Sequence, residues 1–343
     1  MNLNPRARAL LDLYSAGLAS EYGVSDVGRY FSLTDPKETA LRAALLESVE
    51  FLSMITCADV DQLSGQVVSV GNSGIFTGRK EGGRFIRKTG VDGNKYELVE
   101  TDSGAALPWD LLSIWANAGG ENEFFQLMQT FTNNSFALDM LRIGFNGTSV
   151  AKTTDPEANP SGEDVNKGWQ QRMKEYKDGI QVIDDAITLG EGGDFISLDA
   201  MAADLINSKI PAQHRSDPRL VVLVGADLVA AEQYRLYNKA DRPTEKIAAQ
   251  MLSSTIAGRP GVIPPFMLGK RMVVTPLSNL HIYTQRNTRQ RKAEFVDDRK
   301  QYENKYLRNE GYAVEEPELY ASYDESAVTI GKVPELADPK AGE

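Results

Sequence analysis

Apolar positions first recur at helical spacing close to the N-terminus. Leu10, Leu13, Tyr14 and Leu18 fall on one helical face. Asn4 and Pro5 just before them suit an N-cap and a first helical position. The pattern predicts an amphipathic helix followed by a polar tail to about residue 31. Two readings of this segment stay open: an arm packed on its own domain, or a segment that binds a partner or is removed. A second helix is predicted from Asp35. Pro36 sits in its first turn, Glu38 would close a capping box, and Leu41, Leu45, Val49 and Leu52 form its stripe.

The pattern then changes. Nine glycines punctuate the chain from Gly65 to Gly104, between strand-like pieces at 66–70 and 95–100. Two strands joined by a long glycine-rich middle predict an extended hairpin over 65–107. Few large apolar residues are there to bury it, and a lone hairpin is marginally stable in water. A second surface, most simply another copy of the chain, would support it. The middle is basic: Arg79, Lys80, Arg84, Arg87, Lys88 and Lys95 oppose only Glu81 and Asp92. A solvated loop, contact with an acidic neighbouring copy, and nucleic-acid binding all fit. The last is weakened because Phe85 is the only interleaved aromatic.

Helical periodicity returns at 108–118, breaks at Gly119-Gly120, and resumes over 121–143 with Phe124, Leu127, Met128, Phe131, Leu138 and Leu141 on one face. This second piece would be the spine of a domain, about 30 Å long. A surface loop with Asp155-Pro156 and Asn159-Pro160 follows, and then a stretch, 169–187, that is helical in part. Ser197 caps a helix carrying Leu198, Met201, Ala202, Leu205 and Ile206. A buried strand at 219–224, helices at 226–237 and 244–257, and strands at 272–275 and 281–284 complete an α/β module. Beyond residue 286, Phe295, Tyr302, Tyr306, Tyr312 and Val314 alternate with charges, as in long strands with one wet face. The tail is basic over 286–308 and acidic over 310–343, a split that suits head-to-tail contacts between copies and equally a solvated strand surface.

Composition narrows the function more than the fold. The chain has 343 residues, 41% apolar and 25% charged, which fits a globular protein of about two domains. A net charge of −11 argues against nucleic-acid binding as the work of the whole surface. The single cysteine, Cys57, allows no intrachain disulfide and is read as a small buried apolar side chain. A thiol nucleophile would want a histidine, and a zinc site more ligands than Cys57, His214 and His281 supply. Both histidines are read as structural or solvated. Gly71-Asn72-Ser73-Gly74 lacks a phosphate-loop pattern. Gly225 stands between a buried strand and a helix, as at a nucleotide site, but no further glycine follows. The pairs Asp184-Asp185, Asp297-Asp298 and Glu315-Glu316 point apart and make poor acid–base partners. No catalytic, cofactor or metal residue is assigned. With no apolar run of spanning length and no leader pattern in residues 1–10, a cytoplasm-like compartment without membrane contact is expected.

A resemblance gives these parts a frame. Its residues are Asn94-Lys95-Tyr96-Glu97, Leu112 with Trp115-Ala116, Gly144-Phe145-Asn146-Gly147, Gly192-Gly193-Asp194 and Ser197-Leu198-Asp199-Ala200. They continue with Leu220-Val221-Val222, Val224-Gly225, Asn279-Leu280, Ile282-Tyr283, and then Asn309, Tyr312, Val314 and Glu315. In their order and spacing they resemble the major capsid proteins of tailed bacteriophages, in the peduovirus-like branch. The resemblance implies an α+β chain with the Hong Kong-type capsid fold. Its parts would be an N-terminal segment (1–31), an N-terminal arm (32–64), an extended β-hairpin loop (65–107), a peripheral domain with a long spine helix (108–189), an axial α/β domain (190–285), and peripheral return strands with a C-terminal tail (286–343).

It further implies pentamers and hexamers that close an icosahedral shell around double-stranded DNA held without sequence specificity. Assembly would occur in the host cytoplasm, and the final location would be the virion. A scaffolding protein, a prohead protease and a portal protein at one vertex would be partners. The N-terminal segment would be trimmed near Phe31-Ser32. Arg79, Lys80, Arg84, Arg87, Lys88 and Lys95 become candidate intersubunit contacts of the loop. A nanocompartment shell enclosing protein cargo is the alternative, and an α/β enzyme of unknown substrate a further one.

Overall fold

A computed structural model describes residues 3–67, 77–86, 94–239 and 255–331. From the N-terminus the elements are α1 (Pro5–Tyr22), β1 (Phe31–Ser32), α2 (Asp35–Ser48), α3 (Glu50–Met54), β2 (Thr56–Val60), β3 (Ser64–Gln66), β4 (Lys95–Glu97), β5 (Val99–Pro108), α4 (Trp109–Ala118) and α5 (Glu121–Asn146). There follow α6 (Trp169–Glu175), β6 (Val182–Ile183), β7 (Ile187–Leu189), α7 (Leu198–Lys209), β8 (Leu220–Val224), α8 (Ala226–Lys239), β9 (Thr255–Ile256) and β10 (Arg259–Val262). The last are β11 (Met272–Pro276), β12 (Leu280–Gln285), β13 (Gln290–Val296), β14 (Gln301–Val314), β15 (Ala321–Tyr323) and β16 (Val328–Ile330). The chain divides into two compact units. One holds 1–66, 95–168 and 281–313; the other holds 67–94, 169–280 and 314–343.

The first unit is a six-stranded sheet, ordered β1-β13-β14-β12-β2 with β5 on β14, together with the helices α1 to α5. Both ends of α1 are capped locally. The Arg6 N–H donates to Asn4 Oδ1 at 3.0 Å, and Gly23, at φ 69°, returns its N–H to the Ala19 carbonyl. Ala7, Leu10, Leu11, Tyr14 and Leu18 are buried in a cluster with Leu112, Phe124, Met128 and Tyr302, whereas Leu13 stays 48% exposed. In this structure the helix is therefore packed on its own unit. In α2 the N-cap is Thr34, not Asp35, and Glu38 does not close the expected capping box. Glu38 is buried and its Oε2 lies 3.2 Å from Arg289 Nη1.

The spine, α5, has 26 residues and is about 39 Å long at 1.5 Å per residue. Its buried side differs from the expected stripe. Phe124 and Met128 point inward, but Leu127 and Phe131 remain 40% and 38% exposed, while Thr132, Phe136 and Ala137 are buried. The first half packs on α1 and α4 and the second on α2 and β5, so the inward face shifts along the helix. Thr132 is tolerated inside because its hydroxyl donates to the Met128 carbonyl at 2.9 Å.

Charge runs through the interior of this unit. Arg289 bridges Glu38 of α2 and Asp59 of β2, and Asp59 also holds Arg42 at 2.7 Å. On β14, Arg308 makes a two-point contact with Glu310, at 2.6 and 3.1 Å, and donates to Ser103 Oγ at 2.8 Å. The Tyr312 hydroxyl donates to the Met140 carbonyl at 2.9 Å. Much of the tail's basic run is thus paired within its own unit. Lys305 joins Glu294 and Glu303 at 2.9 and 2.8 Å.

The second unit is built on the mixed sheet β6-β15-β11-β8-β10-β9, with β7 and β16 paired in parallel beside it. Its core is aliphatic: Leu198, Met201, Leu205 and Ile206 of α7 and Leu228 of α8 cluster with Val222, Val224, Met272 and Val274. The resemblance implies boundaries at 189/190 and 285/286, with the whole tail returned to the spine's domain. The structure changes unit at 168/169, 280/281 and 313/314. The reason is pairing: β15 lies between β11 and β6, and Tyr320 donates to Gln170 Oε1 at 2.7 Å. Of the expected helix at 244–257, residues 244–254 lie outside the described residues. Its last residues form β9, and Ala257 turns at φ 49°.

Candidate functional site

The glycine-rich arm has an anchored stem and an open tip. In the stem β3 pairs antiparallel with β4, placing Gly65 opposite Tyr96. The Tyr96 ring covers Gly65 so closely that a Cβ there would lie 2.6–2.8 Å from ring atoms and would have to displace the ring. That ring packs on Tyr283 at 4.9 Å, and the Tyr283 hydroxyl meets His281 Nδ1 at 2.8 Å. Asn94, at the head of β4, donates to the carbonyls of Val314 and Glu315 at 2.6 and 3.3 Å. In the tip, every residue over 77–86 is exposed. Lys80 and Gly83 bridge across a turn in which Gly82 takes φ 76°. Arg79, Lys80 and Arg84 sit here beside Phe85 and Ile86, the latter 80% exposed. Lys95 is exposed on the stem, and Arg87 and Lys88 lie outside the described residues.

The first unit also carries an acidic groove that the sequence reading did not identify. Its volume is about 230 Å³, and Thr101, Asp102 and Gly104 of β5, Asp139 of α5 and Asp164 line it. Burial pushes the carboxyls of Asp102 and Asp139 above their ordinary range, although nearby cations pull the other way. Arg142 Nη1 lies 3.3 Å from Asp139, and Asp164 accepts the Asp155 N–H at 2.7 Å. Asp102 alternates with the inward-facing Thr101 and Ser103. That strand period is the signal for this face in the sequence.

Phe31 and Ser32 form β1, an edge strand only two residues long, in register with Arg291 and Gln290 of β13. Arg29 and Tyr30 just before it are exposed.

The residues screened for chemistry do not converge. Burial, and then the Glu310 charge, pushes the Cys57 thiol up to about 12, far from a reactive thiolate. His281 belongs to the first unit and His214 to a loop of the second. A Cβ on Gly225 would meet the carbonyls of Leu268 and Gly269 at 2.2–2.3 Å. The N–H groups of Asp227 and Leu228 donate to that Gly269 carbonyl at 3.0 and 3.1 Å. Backbone thus fills the helix N-terminus where a phosphate would sit. Gly71-Asn72-Ser73-Gly74 lies outside the described residues. Among the described residues, no group of three or more His, Cys, Asp or Glu could hold a metal ion.

Comparison with known proteins gives this arrangement its context. Residues 10–326 match the family described as Phage major capsid protein, P2 family. The chain belongs to that family. The curated relatives agree. It is 27% identical over 337 residues to the capsid proteins of Escherichia phage P2, covering 92% of each chain. It is 27% identical over 300 residues to the major capsid protein of Serratia phage KSP20, covering 81% of this chain and 84% of that one. Among solved structures it is similar to a chain of the satellite phage P4 procapsid including size determination (Sid) protein. The TM-score is 0.75 at 26% identity, over 96% of this chain and 100% of the other.

This P2-family chain is thus a major capsid protein with the Hong Kong-type α+β fold, a structural component of a phage virion whose kind assembles into shells. Within that fold, several residues that carried the sequence resemblance are joints. Asn279 Nδ2 donates to the Glu316 carbonyl at 3.0 Å, and Asn279 Oδ1 accepts the Glu316 N–H at 2.7 Å. Gly147 lets the Asn166 carbonyl pass where a Cβ would be only 2.0 Å away.

Proposed function

We propose that this P2-family subunit assembles as pentamers and hexamers that close an icosahedral head around double-stranded DNA, which it holds without reading sequence. The observation that carries this reading is the arm. Its stem is fastened by Tyr96 and Asn94, yet its tip presents Arg79, Lys80, Arg84, Phe85 and Ile86 to solvent. Phe85 and Ile86 beside three cations give the tip both the apolar contact and the charge to dock on an acidic copy. The groove at Asp102 and Asp139 is the acidic acceptor on that copy. Arg79, Lys80, Arg84 and Lys95, with Arg87 and Lys88, are the contacts that bring the arm there. In the capsid plan, the first unit takes the peripheral place and the second the axial place.

A scaffolding protein sets the curvature, a portal protein takes one vertex, and assembly occurs in the host cytoplasm. Among the described residues no helix is long and apolar enough to cross a membrane. The subunit performs no reaction of its own. A prohead protease trims it near Phe31-Ser32, a reading supported by the short exposed-edge strand there. N-terminal sequencing of protein from mature particles tests the trimming, and an intact N-terminus through residue 31 overturns it. For the arm, electron microscopy of the expressed protein with its scaffold should show closed shells. Arg79→Glu with Arg84→Glu should leave soluble subunits that fail to close, and Asp102→Lys with Asp139→Lys should restore closure. Shells formed equally well by the reversed arm overturn the assignment.

A further inference from the structure

The N-terminal helix has the features of a ligand seated in a groove. It brings both caps with it: Asn4 at the start and Gly23 at φ 69° at the end. Its inward side chains are the set Ala7, Leu10, Leu11, Tyr14 and Leu18, each at most 5% exposed. The receiving surface consists of α4, α5, β13 and β14, with Leu112, Ala116, Phe124, Met128, Ala293 and Tyr302 at its floor. Polar contacts fix the axial register at both ends. At the start, the Asn4 amide donates to Asn117 Oδ1 at 3.2 Å and Arg6 donates to the Gly119 carbonyl at 2.8 Å. Midway, the hydroxyls of Ser15 and Tyr302 lie 2.9 Å apart. At the finish, Arg291 Nη1 donates to the Tyr22 hydroxyl at 2.6 Å. The connecting segment 24–30 adds one anchor of its own, since Val27 is buried in the same cluster and its carbonyl accepts the Ala293 N–H at 2.8 Å, while Ser25, Asp26, Arg29 and Tyr30 are exposed.

We propose that the surface between α4, α5 and β13 is a helix-binding site whose ligand is residues 3–22 of this same chain, and that the helix stays bound after the link to residue 32 is cut. The inference rests on the trimming reading only for its biological occasion. If trimming occurs, cutting and release are separate events, and release waits for something that deforms the groove. Amphipathic helices bind such grooves through anchors at i, i+3, i+4 and i+7, the spacing of Ala7, Leu10, Leu11 and Tyr14 here.

The test needs no natural protease. A recognition sequence for a site-specific protease is inserted between Gly28 and Arg29 of the full chain, and the purified protein is cut in native buffer. On size exclusion with mass spectrometry, the N-terminal fragment should elute with the body, and hydrogen exchange should leave the α1 amides protected as in the uncut chain. Leu11→Ala with Tyr14→Ala in the same background should weaken retention by about 100-fold or more. A fragment that separates from a folded body on cutting overturns the proposal. So does loss of α1 protection in the cut protein with the body unchanged. As a second route, a labelled 3–22 peptide added to the cut protein should exchange into the body. Absence of exchange together with fragment loss overturns the proposal, while natural trimming is judged separately by N-terminal sequencing.

Discussion

The two units bury different material. The second packs an aliphatic core, with Leu205, Val222, Val224 and Met272 fully inside, and its buried ions Arg271 and Asp324 pair with the partly exposed Glu325 and Lys174. The first buries Arg289, Arg308, Glu38 and Glu310 with their partners in place. Apolar packing is forgiving, since a similar volume restores most of the energy. Buried charge is not, because each partner left alone keeps its full desolvation cost. The first unit is therefore the one whose register the sequence specifies most sharply, and the one that single substitutions break most readily.

The largest expected effect tests this directly. Glu310→Ala leaves Arg308 buried without its carboxylate and should cost about 3–5 kcal/mol, seen as loss of folded first unit in urea titrations followed by hydrogen exchange. Next comes the aliphatic counterpart: Leu205→Ala should destabilise the second unit by about 3 kcal/mol, and Leu205→Met by less than about 1.5. An equal loss from Leu205→Met would break the comparison. Third, Arg308→Met with Glu310→Leu should be neutral to stabilising by about 2 kcal/mol in thermal melts, because the pair brings specificity rather than net stability.

A smaller effect is pH-dependent. Asp324 is buried, which pushes its carboxyl up, but the Lys174 ion pair and hydrogen bonds from Ser326 outweigh this and hold it below its ordinary range. A depressed carboxyl contributes stability that is complete above the unfolded value of about 3.9 and is lost as pH falls through the depressed folded value. Asp324→Asn should thus destabilise the second unit by about 1 kcal/mol at pH 7, with the difference from wild type closing as pH falls below the ordinary carboxylate range in acid titrations followed by circular dichroism. The smallest effect is at the arm tip. Arg79→Ala with Arg84→Ala should change subunit stability by less than about 0.5 kcal/mol while slowing assembly measured by light scattering.

The order of parts was legible in the sequence because it rests on local signals. Asn4-Pro5 started α1 and Ser197 capped α7, as their side chains dictate. The Gly119-Gly120 break separated α4 from α5, and β4 opens the strand expected at 95–100. By contrast, β3 ends at Gln66, where the other strand was expected to begin, and from Val99 the chain joins β14 in the main sheet instead of the hairpin. What stayed hidden depends on partners far away in sequence. Glu38 has capping-box spacing, but Arg289, 251 residues later, claims it. Leu127 and Phe131 fit the helical period, yet the spine changes neighbours halfway along and Thr132 takes the inward place. The basic run over 286–308 read as surface charge because strand alternation does not show that a second layer covers the wet face. For the candidate site, the exposed tip residues were visible as a charge pattern. The groove opposite in charge was not, since it joins residues of β5, α5 and the 154–165 loop.

The strands of the first unit also differ as mechanical parts. β14 is held by ten residue pairs to β5 and seven to β13. A pull along it loads many hydrogen bonds at once, in shear, so it acts as a tie rod within the first unit. β1 is held to β13 by two pairs at the sheet's edge. Force on the N-terminal segment would open those bonds one after another, like a zip. The weak seam lies where the N-terminal helix is tethered to the sheet.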